Sequence, residues 1–175
     1  MMQSERIRLL AHAPNHLRAL LDGGDAYERQ FGIRVADGVR DSLTGPEVSE
    51  SFRARLREGV SADPWRDGFG IVQLKENCLI GLCSFVGPPN EEGSVEIAYG
   101  VAPGFEGQGY ATEAARLLIA HACADTRVRQ VRAHTLPERN ASTRILEKCG
   151  FQCRGELIDP VDGPIWRWER ACAAH

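Results

Sequence analysis

The residues best equipped for chemistry stand in two clusters. In the first, Gly107-Gln-Gly-Tyr-Ala-Thr112 links an alternating run, Val95 to Val101, to a run of helical spacing through Ala115, Leu118, Ile119 and Ala122. Glycines at 107 and 109 let the backbone turn tightly and approach a ligand with no Cβ in the way. A helix starting at such a turn offers unpaired N–H groups and its positive dipole end, a seat for phosphate or pyrophosphate. A plain tight turn uses glycine in the same way, so the turn alone leaves both readings open. Two other phosphate motifs drop out: the spacing is not GxGxxG with an acidic residue at the ribose distance, and no Gly-Lys-Ser/Thr follows. In the second cluster, Asn140, Ser142 and Arg144 gather where a helical run begins. Asn140 suits an N-cap and Gly150 a C′ residue, so a capped core helix explains most of this segment. It does not require three polar side chains at the helix start.

Both clusters need a scaffold, and the patterning supplies one. Strands are expected at Arg6–Leu10, Phe69–Leu74, Leu79–Val86, Val95–Val101, Val128–Thr135, Phe151–Leu157 and Ile165–Arg170. Helices are expected at Pro14–Leu21, Ser51–Glu58, Thr112–Ala124 and Ala141–Cys149, with Phe52 and Leu56 an apolar i, i+4 pair in the second. Residues 22–50 are broken by Gly23, Gly24, Gly32, Gly38, Gly45 and Pro46 and read only as short helices over one side of the core. Three strands, then strand–helix–strand–helix–strand–strand, give a mixed α/β (α+β) sheet with helices on its faces.

The 175 residues suffice for one domain, residues 1–175, with 1–68 as an N-terminal strand and acceptor-side helices and 69–170 as the cofactor-binding core. Hydrophobic (43%) and charged (26%) fractions are those of a folded domain, not a disordered chain. A net charge of -3 argues against nucleic-acid or membrane partners, and no apolar run nears the roughly 18 residues that span a bilayer. A cytoplasmic location is expected. The six cysteines, Cys78, Cys83, Cys123, Cys149, Cys153 and Cys172, form no CxxC pair and are expected to be reduced, mostly buried thiols. No metal is expected, because their spacing and that of the five histidines match no ligand pattern.

The run Gly107-Gln-Gly-Tyr-Ala-Thr-Glu-Ala114 resembles motif A of the GNAT N-acetyltransferases, whose turn cradles the pyrophosphate of coenzyme A. It looks most like the RimJ/RimL-type branch. Thr135-Leu-Pro-Glu-Arg-Asn-Ala-Ser-Thr-Arg-Ile-Leu-Glu-Lys-Cys-Gly-Phe151 is similar to that branch's motif B, in the family's order and spacing. One position departs. Glu106 stands where the family usually has Arg or Gln, and its side chain is expected to face solvent, since a carboxylate repels phosphate.

The resemblance implies the GNAT fold: a mixed, mostly antiparallel central sheet flanked by helices on both faces, with splayed strands at the cofactor site. It implies acetyl-CoA as co-substrate, held by Gly107, Gln108, Gly109, Tyr110, Ala111 and Thr112. Tyr99, Gly100 and Val101 would pair with its pantetheine arm through backbone, and Asn140 would also touch the cofactor. The reaction implied is acetyl transfer to a primary amine by direct attack in a ternary complex, which needs only proximity and orientation. Glu96, on the strand before the turn, is the candidate general base, and Ser142 the candidate general acid toward the departing thiolate. A solvated strand carboxylate and a helix-capping hydroxyl remain the plainer readings of these two. His134 would assist, or be structural. Asp159 or Asp162, in the hairpin before Trp166 and Trp168, would attract a cationic amine. The two tryptophans suit the core or a homodimer contact. The acceptor is expected to be a small-molecule or peptide amine. A non-catalytic acyl-CoA sensor on the same fold and a nucleotide-binding regulatory domain are the alternatives.

Overall fold

The computed structural model describes residues 2–44, 50–59 and 61–173. Gly45 and Pro46, and the Phe52 side chain of the expected Phe52–Leu56 pair, lie outside the described residues. The chain begins with β1 (Ile7–Ala11), α1 (Pro14–Asp22), α2 (Gly24–Phe31), a two-residue β2 (Arg34–Val35), α3 (Asp41–Thr44) and α4 (Glu50–Glu58). Next come β3 (Phe69–Gln73), β4 (Cys78–Phe85), β5 (Ser94–Val101), a 3-10 turn (Pro103–Phe105) and α5 (Tyr110–Ala124). The chain closes with β6 (Gln130–Thr135), α6 (Ala141–Lys148), β7 (Gln152–Asp159) and β8 (Gly163–Ala171).

The strands form one sheet in the order β1-β3-β4-β5-β6-β8-β7, with β2 running parallel beside β4. Along that path every pair is antiparallel except β5–β6. A parallel pair needs a crossover, and α5 provides it. One face carries α5 and α6, where Val95, Ile97, Val131 and Ala133 meet Ala115, Leu118, Ile119 and Leu146. The other carries α1 and α2, where Leu20 and Tyr27 pack on Val72 and Leu79. Cover on both sides explains why β3 and β4 are buried almost without alternation.

The pairing of β5 with β6 is short. It joins Ser94–Glu96 to Gln130–Arg132 and stops, although β5 continues to Val101 and β6 to Thr135. On its other side β5 stays paired with β4 as far as Val101. The sheet is therefore split in mid-span, beginning just past Glu96.

Two sequence expectations change, and a third, the core-or-dimer reading of the tryptophans, is narrowed. Helix α5 starts at Tyr110, not Thr112, because Gly109 (φ 86°) is already its N-cap. Trp168 is a core residue: β8 lies between β6 and β7, and the Trp168 indole N–H donates to Thr135 Oγ1 at 3.0 Å. Cys123 and Cys172 are not free thiols. The antiparallel β6–β8 pairing carries Cys172 back beside the last turn of α5, with the two Cα atoms 5.4 Å apart, and a disulfide joins them. Cys78, Cys83 and Cys149 are buried free thiols, and Cys153 is exposed on the edge strand β7.

Candidate functional site

The split in the sheet is bracketed by the N-termini of α5 and α6. Gly107 (φ 73°) and Gly109 (φ 86°) both take left-handed backbone, which sets the tight turn into α5. The first bond of the helix runs from the Glu113 N–H to the Gly109 carbonyl. The amides of Tyr110, Ala111 and Thr112 thus have no acceptor within the helix, and they lie at its positive end. Gln108 and the glycines are exposed, and Glu106 is exposed as well. Tyr110 points inward: it is buried, and its hydroxyl accepts from Gln73 Nε2 at 2.9 Å.

Arg6 was invisible in the sequence as part of this turn. Its guanidinium lies 4.5 Å from the centroid of the Tyr110 ring, donates to the Gln108 carbonyl at 2.9 Å and pairs with Glu113 at 2.7 Å. Ser4 donates to the other Glu113 oxygen at 3.0 Å. The one carboxylate in the first turn of α5 is therefore neutralised beside an anion seat. No local pattern could reveal this, since Arg6 reaches its partners only through the β1–β3 pairing beside α5.

Inside the gap the strand geometry decides which backbone groups are free. The Ala102 N–H donates to the Ile80 carbonyl, and the Glu96 carbonyl accepts from the Val86 N–H, so even-numbered residues of β5 turn toward β4. By strand alternation Tyr99 and Val101 turn their N–H and C=O groups to the split side. Gly100, expected to join them, pairs with Leu82 and turns its backbone to β4, and a Cβ there would meet nothing. The Tyr99 side chain leans toward α6. Its hydroxyl is buried and lacks a well-formed hydrogen bond, and burial pushes the phenol up to about 12, against a smaller opposite effect of the adjoining Ser142 hydroxyl.

Ser142 lies in the first turn of α6. Asn140 caps that helix: its Oδ1 accepts from the Thr143 N–H at 3.0 Å, and Thr143 Oγ1 accepts from the Asn140 N–H in return. The cap uses the Asn140 oxygen and leaves its NH2 group for another partner. Thr143 is buried as part of this box, whereas Ser142 is half-buried at the gap.

Glu96 lies on the opposite face of β5, in line with Ala98 and Gly100. Its Oε1 is 2.7 Å from His134 Nδ1 on β6, beside Arg132 and Arg167. Asp159 sits near enough to His134 for the imidazole to help hold its carboxyl below the usual range, after the larger effect of the backbone amides of Asp162 and Val161. Next along this face is a cavity of about 500 Å³. Ser84, Ala98 and Gly100 form its floor, and α1, residues 38–43 and residues 66–69 wall it. All of these walls come from the chain ahead of β4, and residues 38–43 from the stretch that the sequence left as short helices.

Thus the structure brings Glu96 and His134 together on one face and Tyr99 and Ser142 on the other, with the split and the α5 turn between. Asp162 donates its N–H to Asp159 Oδ1 at 2.9 Å within the β7–β8 turn. No helix among the described residues is long and apolar enough to cross a membrane. No group of three His, Cys, Asp or Glu among them is placed to hold a metal ion.

The pattern of the acetyltransferase (GNAT) domain matches residues 6–152. The chain is 31% identical over 144 residues to an uncharacterized N-acetyltransferase, p20, of Bacillus licheniformis, covering 75% of this chain and 81% of p20. It is similar in structure to RimL, a ribosomal L7/L12 alpha-N-protein acetyltransferase solved in complex with coenzyme A: TM-score 0.67, 16% identity, 98% of this chain and 97% of that one. The spermidine/spermine N-acetyltransferase SpeG from Vibrio cholerae is similar as well, with TM-score 0.62 and 18% identity over 95% and 92% of the chains. At these identities the last two likenesses concern the fold.

Proposed function

The chain belongs to the GNAT acetyltransferase family, and on that premise we propose that it moves an acetyl group from acetyl-CoA to a primary amine within a ternary complex. The observation that carries the proposal is the split between β5 and β6, with free amides at one end and a proton-handling group on each face. The residues present fit the co-substrate. The amides of Tyr110, Ala111 and Thr112 would hold the pyrophosphate, and Tyr99 and Val101 would hydrogen-bond the pantetheine as an added strand. Asn140 would contribute its NH2 group.

Acetyl-CoA supplies the activated acyl group. The chain's own residues then orient two partners and move two protons. Glu96 accepts the proton of the incoming amine as the C–N bond forms, with His134 holding the carboxylate in place. A backbone N–H of the split strand faces the carbonyl oxygen as negative charge builds there. Ser142 gives a proton to the sulfur as the C–S bond breaks and regains one from solvent, and the Tyr99 phenol beside it stays protonated across the neutral range. Amine and thiolate are thus served from opposite faces of one strand.

Thiol release from acetyl-CoA, followed over a panel of amines, tests the proposal. Turnover that falls in both Glu96→Gln and Ser142→Ala, with coenzyme A binding retained, supports it. Binding without thiol release from any amine would make the chain a non-catalytic acyl-CoA sensor instead.

A further inference from the structure

We propose that the acceptor is a small monoamine carried on an apolar alkyl or aryl group, bound with that group in the cavity beside β5. This rests on the transfer reading above, which places the reacting amine on the Glu96 face. The walls that the first third of the chain lends to the cavity are mostly apolar: Leu17, Val39 and Leu43 line it together with Leu82 of β4, alongside His12 and Ser42. The floor has no bulk, because Ser84, Ala98 and Gly100 stand side by side on β4 and β5. A pocket of about 500 Å³ with such a lining suits a compact apolar body.

The charges decide against a polycation. Asp67 is the sole carboxylate among the described lining residues, and its side chain is 1% exposed. Both its oxygens accept from Arg55 at 3.0 Å, and one also accepts from the Asp63 N–H at 2.8 Å, so its charge is already answered. Arg66, also in the lining, is itself a cation, paired with Asp63 at 3.3 Å. His12 is buried and bonded to the Tyr27 hydroxyl at 2.9 Å, and burial holds its imidazole neutral. A second ammonium pushed into this cavity would lose part of its water and find no unpaired carboxylate among the described lining residues, which disfavours it. Beside Glu96 the other carboxylates already have their cations, Arg132 pairing with Glu92 at 3.4 Å and with Glu169 at 3.5 Å, and Arg167 with Glu169 at 3.1 Å. Glu96, in line with Ala98 and Gly100 of the cavity floor, is the carboxylate placed to meet one ammonium.

Calorimetry on the protein saturated with coenzyme A tests the assignment without turnover. Ethylamine, butylamine, hexylamine and phenethylamine are compared with spermidine and with the amide of a Ser-Ser dipeptide. Affinity is expected to rise by about fourfold per methylene along the alkyl series, the yield of burying CH2 groups. Hexylamine and phenethylamine should bind at least about tenfold more tightly than spermidine, whose second charge the cavity cannot pair. Ala98→Phe, which fills the floor, should abolish the rise with chain length; circular dichroism checks its fold, and the wild-type series decides alone if the variant does not fold. A flat series, tighter binding of spermidine or of the dipeptide amide, or an unaltered series in a folded Ala98→Phe overturns the proposal. The same amines in the thiol-release assay separate the two claims. Hexylamine that binds but releases no thiol would defeat the transfer reading alone, whereas turnover of spermidine with none of hexylamine would defeat this inference alone.

Discussion

Glu96 and Ser142 stand on opposite faces of a single strand and are open to separate tests. Glu96→Gln keeps the shape and removes the proton acceptor, so kcat should fall by about 100-fold or more with the KM for acetyl-CoA little changed. Thiol-release kinetics check this, and an unaltered kcat would reduce Glu96 to a partner of His134. Tyr99→Phe should lower kcat only severalfold, because it removes the buried hydroxyl beside Ser142 while leaving the ring in the core. Both Glu96 and Ser142 were candidates from the sequence alone because short patterns surround them. Arg6 was not. Its partners Gln108 and Glu113 are 102 and 107 residues away, and nothing local to Arg6 marks it. Nor did the sequence show that the Gly100 backbone turns to β4, since the direction of a backbone amide depends on register with that strand.

At the level of elements, the cofactor turn is a joint product of α5 and β1. Removing the guanidinium in Arg6→Ala leaves Glu113 unpaired at the helix end where a polyanion would sit. The KM for acetyl-CoA should rise by about tenfold, and Glu113→Gln in the same chain should recover part of the loss, a coupling that a double-mutant cycle measures. Gly109→Ala would force a Cβ onto left-handed backbone with Arg6 Nη2 at 3.0 Å, and about 1–2 kcal/mol of stability should be lost in thermal unfolding. The strands from β3 to β6 and helix α5 were readable: β5, β6 and α5 through the period that burial on one face leaves, β3 and β4 as short apolar runs between turn signals. Residues 22–44 were not readable. There α2, β2 and α3 are short and defined by packing on β4 and α1, contacts that leave no period behind.

For the molecule as a whole, two features govern stability. His12 is 1% exposed, and burial first, then His16, lowers its imidazole to about 3, with Asp67 acting weakly the other way. The unfolded chain takes up this proton near pH 6.5 and the folded one does not, so stability is complete above about 6.5 and is lost as the pH falls toward 3. Urea unfolding at pH 7 and pH 5 should show that loss, and His12→Gln should flatten the slope. The disulfide from α5 to the end of β8 closes a separation of 49 residues. Replacing both cysteines by serine should cost about 2–4 kcal/mol, read as a lower midpoint of unfolding. Six cysteines gave no hint of this pairing, because the partners meet only once β8 has docked on β6.

The break between β5 and β6 also affects mechanics. Beyond Glu96 the strands β1 to β5 on one side and β6 to β8 on the other are two plates hinged along three residue pairs. A pantetheine chain lying in that opening would act as a keystone, bonded to one plate and wedged against the other. The empty protein should therefore be the softer one, and loading with coenzyme A should slow deuterium uptake at the amides of Tyr99 and Val101. Gly100, whose backbone already faces β4, should exchange at the same rate with or without it.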